Sequence, residues 1–158
     1  MDIKFPKSEA VPHEKINPML LNEYAMQKNE SSTKSSAKEI VMEFVKALQR
    51  KDFKTVRSYI TDNMTGVAPG PEGLTSYDKA AFMSYVEHGN VPPYDIMKEF
   101  ADSNDVCLLY EATYQSLYGE PVKTFVCAWF HVNDDDDGKI SSIRFVFDPR
   151  PLFQQKRT

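Results

Sequence analysis

From Ser36 onward the apolar positions recur at helical spacing. Ala37, Ile40, Val41, Phe44, Val45 and Leu48 share one face and leave a polar face opposite. Ser36 followed by Glu39 is a capping-box signature, so the pattern predicts a helix over 37–50. Asp52 is a natural N-cap for a second, short helix carrying Phe53, Val56, Tyr59 and Ile60. Residues 61–74 contain three Gly and two Pro, which predicts a loop. A third helix is expected from Thr75, with Asp78 completing a second capping pair and Ala81, Phe82, Tyr85 and Val86 on its buried face. Gly89 ends it, and Pro92-Pro93 prevents its resumption.

After Pro93 the period shortens to two. Residues 94–101, 106–116, 122–132 and 139–148 are rich in β-branched and aromatic side chains and read as strands. Turn-forming residues separate them: Asp102 to Asp105, Tyr118-Gly119, and Asn133 to Gly138. Helices followed by hairpin-linked strands predict an α+β fold, with three helices packed on a curved antiparallel sheet. Residues 1–35 read as a partly flexible N-terminal arm, holding three of the ten prolines and the polar run NESSTKSS. Within it, Asn17-Pro18 can start a short amphipathic helix over 18–27 using Met19, Leu20, Leu21 and Tyr24. Residues 36–158 then form one domain.

Composition narrows the function classes. The chain has 158 residues, 41% of them hydrophobic, which is enough for one real core. A net charge of −4 with no basic stripe argues against nucleic acid as a partner. No apolar run approaches a membrane span or a signal peptide, so no membrane partner is expected and a cytoplasmic location is the default expectation. Cys107 and Cys127 sit in apolar stretches and read as free thiols. His13, His88 and His131 are too scattered for a metal site. Asp134 to Asp137 lack the Glu that closes a calcium loop and read as a solvated turn. No Gly-rich phosphate loop is present, so no cofactor is expected.

Two stretches and their separation resemble a known family. KEIVMEFVKALQRKDFKTVRSYITDN is similar to the first two helices, and GKISSIRFVFDPRPLFQQ to the final strand, of the nuclear transport factor 2-like superfamily, in its SnoaL-like branch. The resemblance covers residues 37–155. It implies a cone-shaped roll, a bent sheet wrapped on helices around an internal apolar pocket. Ketosteroid isomerases, polyketide cyclases, limonene epoxide hydrolases and pure binding modules share that fold, so the fold does not give the function.

Strand alternation sorts the candidate residues. Ile143, Phe145 and Phe147 share one face of the last strand, and their aromatic character points them at the helices. The family register then implies that Leu109, Glu111, Thr113 and Gln115 point inward, as do Thr124, Val126, Ala128 and Phe130. Tyr110, Tyr114, Phe125, Cys127 and Trp129 fall on the outer face. Cys107 falls inward, so it is not expected to bond Cys127. The epoxide-hydrolase charges match Glu111, Thr113 and Phe145 here, and the residues that hold its water fall near Gly66 and Ala68. That machinery is absent, and the isomerase base also falls near Ala68.

Two acid/base candidates are left. The resemblance to polyketide cyclases implies an acid/base at Asp148, whereas its place before Pro149 suits a turn cap. Glu111 facing an aromatic cavity would be a desolvated general base; at the rim it would only pair with Lys123. Thr113, Gln115, Phe130, Phe145 and Phe147 are the expected ligand wall. Two functions follow. One is a binder of a small apolar molecule, with cyclase- or isomerase-type chemistry. The other is a non-enzymatic interaction module that forms a homodimer through the outer sheet face.

Overall fold

A computed structural model describes residues 35–154, apart from 90, 136 and 137. The helix expected over 18–27 lies outside the described residues. Helix α1 spans Ala37–Gln49 and begins with the expected capping box: Ser36 Oγ accepts from the Glu39 amide, and Glu39 accepts from the Ser36 amide. Its apolar face is buried, with Phe44 stacked on Phe82 and edge-on to Phe130 at 6.1 and 5.9 Å between centroids. Asp52 caps α2, Phe53–Ser58, through the Thr55 amide and hydroxyl. Helix α3 is Lys79–Glu87, and Gly89 follows it with φ of 74°, the left-handed position expected after a helix end. A short α4, Arg150–Phe153, buries Leu152 and was not anticipated.

Six strands form one open sheet. They are β1 (Ile60–Gly70), β2 (Gly73–Asp78), β3 (Tyr94–Asp102), β4 (Asp105–Gln115), β5 (Pro121–Val132) and β6 (Ile140–Val146), in the order β2-β1-β6-β5-β4-β3. The pairing of β1 with β6 is parallel, so the sheet is mixed rather than wholly antiparallel. The pairing of β1 with β6 also shifts register between Ile60 and Thr65.

The β1/β2 hairpin replaces the loop expected at 61–74, and it delays α3 until after Asp78. Asp78 is therefore the N-cap itself, accepting from the Ala81 amide at 2.9 Å. The glycines and prolines that suggested a loop have specific places in this hairpin. Gly70 and Gly73 flank its tight turn. Gly66 pairs with Tyr77, whose ring lies so close that a Cβ on residue 66 would come within 2.0 Å of it. The Tyr77 hydroxyl then reaches across the sheet to donate to the Ile143 carbonyl at 3.3 Å.

The register of β5 and β6 is as expected, and that of β4 is not. Val126, Ala128 and Phe130 face the helices, as does Ile143. On β4, however, Leu108, Tyr110 and Ala112 oppose Ala128, Val126 and Thr124, and therefore share the inner face. Leu109 and Glu111 oppose Cys127 and Phe125 on the outer face, and Thr113 and Gln115 share their parity. Cys107 is corrected to the outer face as well. It opposes Trp129 and lies next to Cys127, and both cysteines are free thiols. The physical reason is in the strand's own alternation. Its even positions from 106 to 114 are Val, Leu, Tyr, Ala and Tyr, whereas Glu111, Thr113 and Gln115 are all odd. Burying the odd set would have desolvated three polar side chains.

Candidate functional site

A cavity of about 480 Å³ lies between the helices and the inner face of the sheet. Helix α1 contributes Phe44, Val45 and Leu48, and α3 contributes Ala81, Phe82, Tyr85 and Val86. The sheet supplies Tyr77, Tyr94, Leu108, Tyr110, Tyr114, Ala128, Phe130, Ile143 and Phe145, and the segment after β6 supplies Phe147, Leu152 and Phe153. No Asp, Glu, His, Lys or Arg stands among the described lining residues.

Three of the expected ligand-wall residues, Phe130, Phe145 and Phe147, do line this space. The others do not. Thr113 lies on the outer face, where its amide donates to the Pro93 carbonyl. Gln115 is exposed and hydrogen-bonds the Gly119 carbonyl. Glu111 is also outside the lining and pairs with Lys123 at 3.3 Å, the rim arrangement rather than the buried one.

Asp148 is held in a turn. Arg150 donates to it from Nε at 2.8 Å and Nη2 at 2.7 Å, and from its backbone amide at 3.1 Å. These side-chain and backbone hydrogen bonds hold the carboxyl down to about 2. A carboxylate so acidic is poorly matched to proton transfer near neutrality. The slipped register moved Glu111 out of the cavity, and the Arg150 fork explains Asp148.

What the sequence reading missed is a set of tyrosines. Tyr77, Tyr85, Tyr94, Tyr110 and Tyr114 all contribute to the wall. Desolvation raises the pKa of each above the ordinary phenol value, Tyr114 to about 12, so all are neutral O–H groups at physiological pH. The Tyr77 hydroxyl is committed to Ile143. The Tyr94 hydroxyl is enclosed and makes no close hydrogen bond, although the Gln49 side chain lies near enough to ease its shift. The Tyr110 and Tyr114 hydroxyls lie near enough to influence each other electrostatically. The signal that could have found them was the even parity of 110 and 114 with the apolar residues of β4.

A second polar cluster lies on the outer face. Asp105 accepts from Trp129 Nε1 at 2.7 Å and sits 3.0 Å from His131 Nδ1, and the Arg144 guanidinium stacks over the Trp129 ring. These bonds lower the Asp105 pKa. Among the described residues no group of three His, Cys, Asp or Glu side chains is placed to hold a metal ion.

An open mixed sheet, helices against one face and an apolar cavity between them define an α+β pocket protein. No family model and no curated protein matches the chain. Solved structures do. An NTF2-like protein of unknown function from Cytophaga hutchinsonii is 27% identical, with a TM-score of 0.59 over 77% of this chain and 98% of that one. An LEH-like epoxide hydrolase from M. tuberculosis is 24% identical, with a TM-score of 0.54 over 71% and 82%. AclR, a putative hydroxylase from Streptomyces galilaeus, is 20% identical, with a TM-score of 0.54 over 73% and 77%. The fold is the NTF2-like one, which serves enzymes among the structures that share it. Among the described residues no helix is long and apolar enough to cross a membrane.

Proposed function

We propose that this chain binds a small, uncharged, largely apolar molecule inside the cavity. The observation that carries the reading is a space of about 480 Å³ whose described lining is aromatic and aliphatic with no ionised side chain. That volume lies in the range of small-molecule sites. A charged guest would lose its hydration there without gaining a counter-charge. Cyclase- or isomerase-type chemistry needs a proton-transfer group near neutrality within reach of the guest. The lining offers only phenols shifted upward, so binding is the part of the expectation that the site supports.

The test uses N-phenyl-1-naphthylamine, an uncharged dye that brightens on leaving water. Saturable one-to-one enhancement is expected, and Ala128→Leu, which fills the wall, should weaken it at least tenfold. No saturation with tens of micromolar protein, or an unchanged affinity in the filled variant, would reject the proposal. A second reading, a homodimer through the outer sheet face, is favoured by one observation: Phe125, Trp129 and Val146 are 60%, 42% and 63% exposed on that face.

A further inference from the structure

Not every tyrosine in the wall is available to a guest. Tyr77 is occupied by Ile143 and Tyr94 is enclosed. The other three differ. Tyr110 and Tyr114 stand four residues apart on β4, facing the cavity, with only the small Ala112 between them. Packing fixes both rings: Tyr110 against Tyr94 at 5.5 Å between centroids, Tyr114 stacked on Phe147 at 5.6 Å and 16°. Tyr85 approaches from α3, within electrostatic range of the Tyr77, Tyr110 and Tyr114 hydroxyls. It is 45% exposed while lining the cavity, which puts it at the boundary with solvent. Helix and sheet thus bring phenol hydroxyls to one part of an otherwise apolar wall.

We infer that the guest is a ring compound carrying an uncharged hydrogen-bond-accepting oxygen, such as a ketone or quinone, recognised by the hydroxyls of Tyr85, Tyr110 and Tyr114. This rests on the binding reading above. Each phenol is protonated and brings one O–H. Tyr110 and Tyr114 lie within electrostatic range of one another, and a bond between them could use at most one of their two hydrogens, which leaves at least one to donate. A hydrocarbon guest would leave that donor desolvated and unpaired, the costly outcome for a polar group in an apolar site. An anionic guest would find donors but no cation, since no Lys or Arg lines the described wall. A carbonyl oxygen accepts from the phenols and brings no charge. The flat ring stack of Tyr114 on Phe147 offers a planar guest a planar wall.

The experiment compares three probes of similar ring size by isothermal titration: naphthalene, 1-tetralone and 1-naphthoate. In the unsubstituted protein 1-tetralone should bind about five- to tenfold tighter than naphthalene, the worth of about one net hydrogen bond. 1-Naphthoate should be the weakest. Replacing Tyr85, Tyr110 and Tyr114 together by Phe should bring tetralone down to naphthalene and leave naphthalene unchanged or improved. Equal affinities for naphthalene and tetralone in the unsubstituted protein would overturn the inference while cavity binding stands, as would tighter binding of 1-naphthoate. Saturable binding of none of the three would overturn the binding reading itself. The comparison within the unsubstituted protein does not depend on how the variants fold.

Discussion

Ala128→Leu asks whether the interior is a cavity or merely a core. Ala128 is buried on β5, opposite Leu108 on one side and Phe145 on the other, and its methyl group faces the cavity. Leucine adds three carbons. At about 0.8 kcal/mol per buried carbon the gain approaches ~2.4 kcal/mol. Lost rotamer freedom takes back about 0.5–1 kcal/mol. The expected net is a stabilisation of about 1.5 kcal/mol, provided the added carbons enter space that is already there. In a filled core the same change would overpack and cost about 1–3 kcal/mol, so the two cases differ in sign. Urea denaturation reads this directly: the midpoint should rise while the slope stays constant. Dye binding should fall in the same variant, because the leucine occupies the guest's volume. A lowered midpoint would refute the reasoning, since the space would then not be free to accept side chain or ligand.

The remaining expectations concern the outer face and the β6 exit. Glu111→Gln should shift stability by less than about 0.5 kcal/mol, as for other exposed pairs, and leave ligand affinity unchanged; a tenfold loss of affinity by titration calorimetry would return Glu111 to the site. The Asp148 pKa is depressed, so its contribution to stability is present above the unfolded value of ~3.9 and is lost as pH falls through about 2. Carboxyl NMR should therefore show Asp148 titrating near the lower value in the folded protein, and a value at or above 3.9 would contradict the Arg150 fork. Asp148→Asn should unfold later than Asp148→Ala on heating, because the amide oxygen still accepts from the Arg150 backbone. If the outer face forms a homodimer, light scattering at micromolar concentration should give twice the monomer mass, and Trp129→Lys should reduce it to the monomer; a monomer in the unsubstituted protein would end that reading.

Much of the architecture was written in local patterns. The capping box at Ser36 and Glu39, the Asp52 cap, the Gly89 stop and three of the four predicted strands through 148 follow from spacing and turn chemistry, and each lies within two residues of its expected end. The β1/β2 hairpin was not legible, for a physical reason. Its glycines serve contacts that no local rule encodes: Gly66 is bare because the Tyr77 ring, from the opposite strand, lies over it. Local composition therefore read as loop what cross-strand packing makes a sheet edge. The parallel β1/β6 pairing is likewise a long-range fact, joining residues 60–67 to residues 140–144. The terminal strand also stops earlier than its pattern suggested, at Val146, because Asp148 and Pro149 turn the chain into α4.

Apart from Asp148, which the Arg150 fork accounts for, the site turns on the register of β4, and that register moved both functional arguments. A slip of one residue on a strand exchanges its two faces completely. With the odd positions of β4 inward, the cavity acquired a carboxylate and the outer face acquired four aromatic anchors. With the even positions inward, as found, Tyr110 and Tyr114 leave the outer face and enter the wall, and Glu111 leaves the wall to pair with Lys123. The dimer surface is then left with Phe125 and Trp129, and Trp129 is already engaged by Asp105 and Arg144. Burying those two polar partners in an interface costs more than burying bare rings. One exchange of faces thus weakens the interaction-module reading and the acid/base reading together, and it strengthens the case for a neutral pocket. The β4 register is the hinge of the functional argument, and it is set by where the chain can put Glu111, Thr113 and Gln115 without desolvating them.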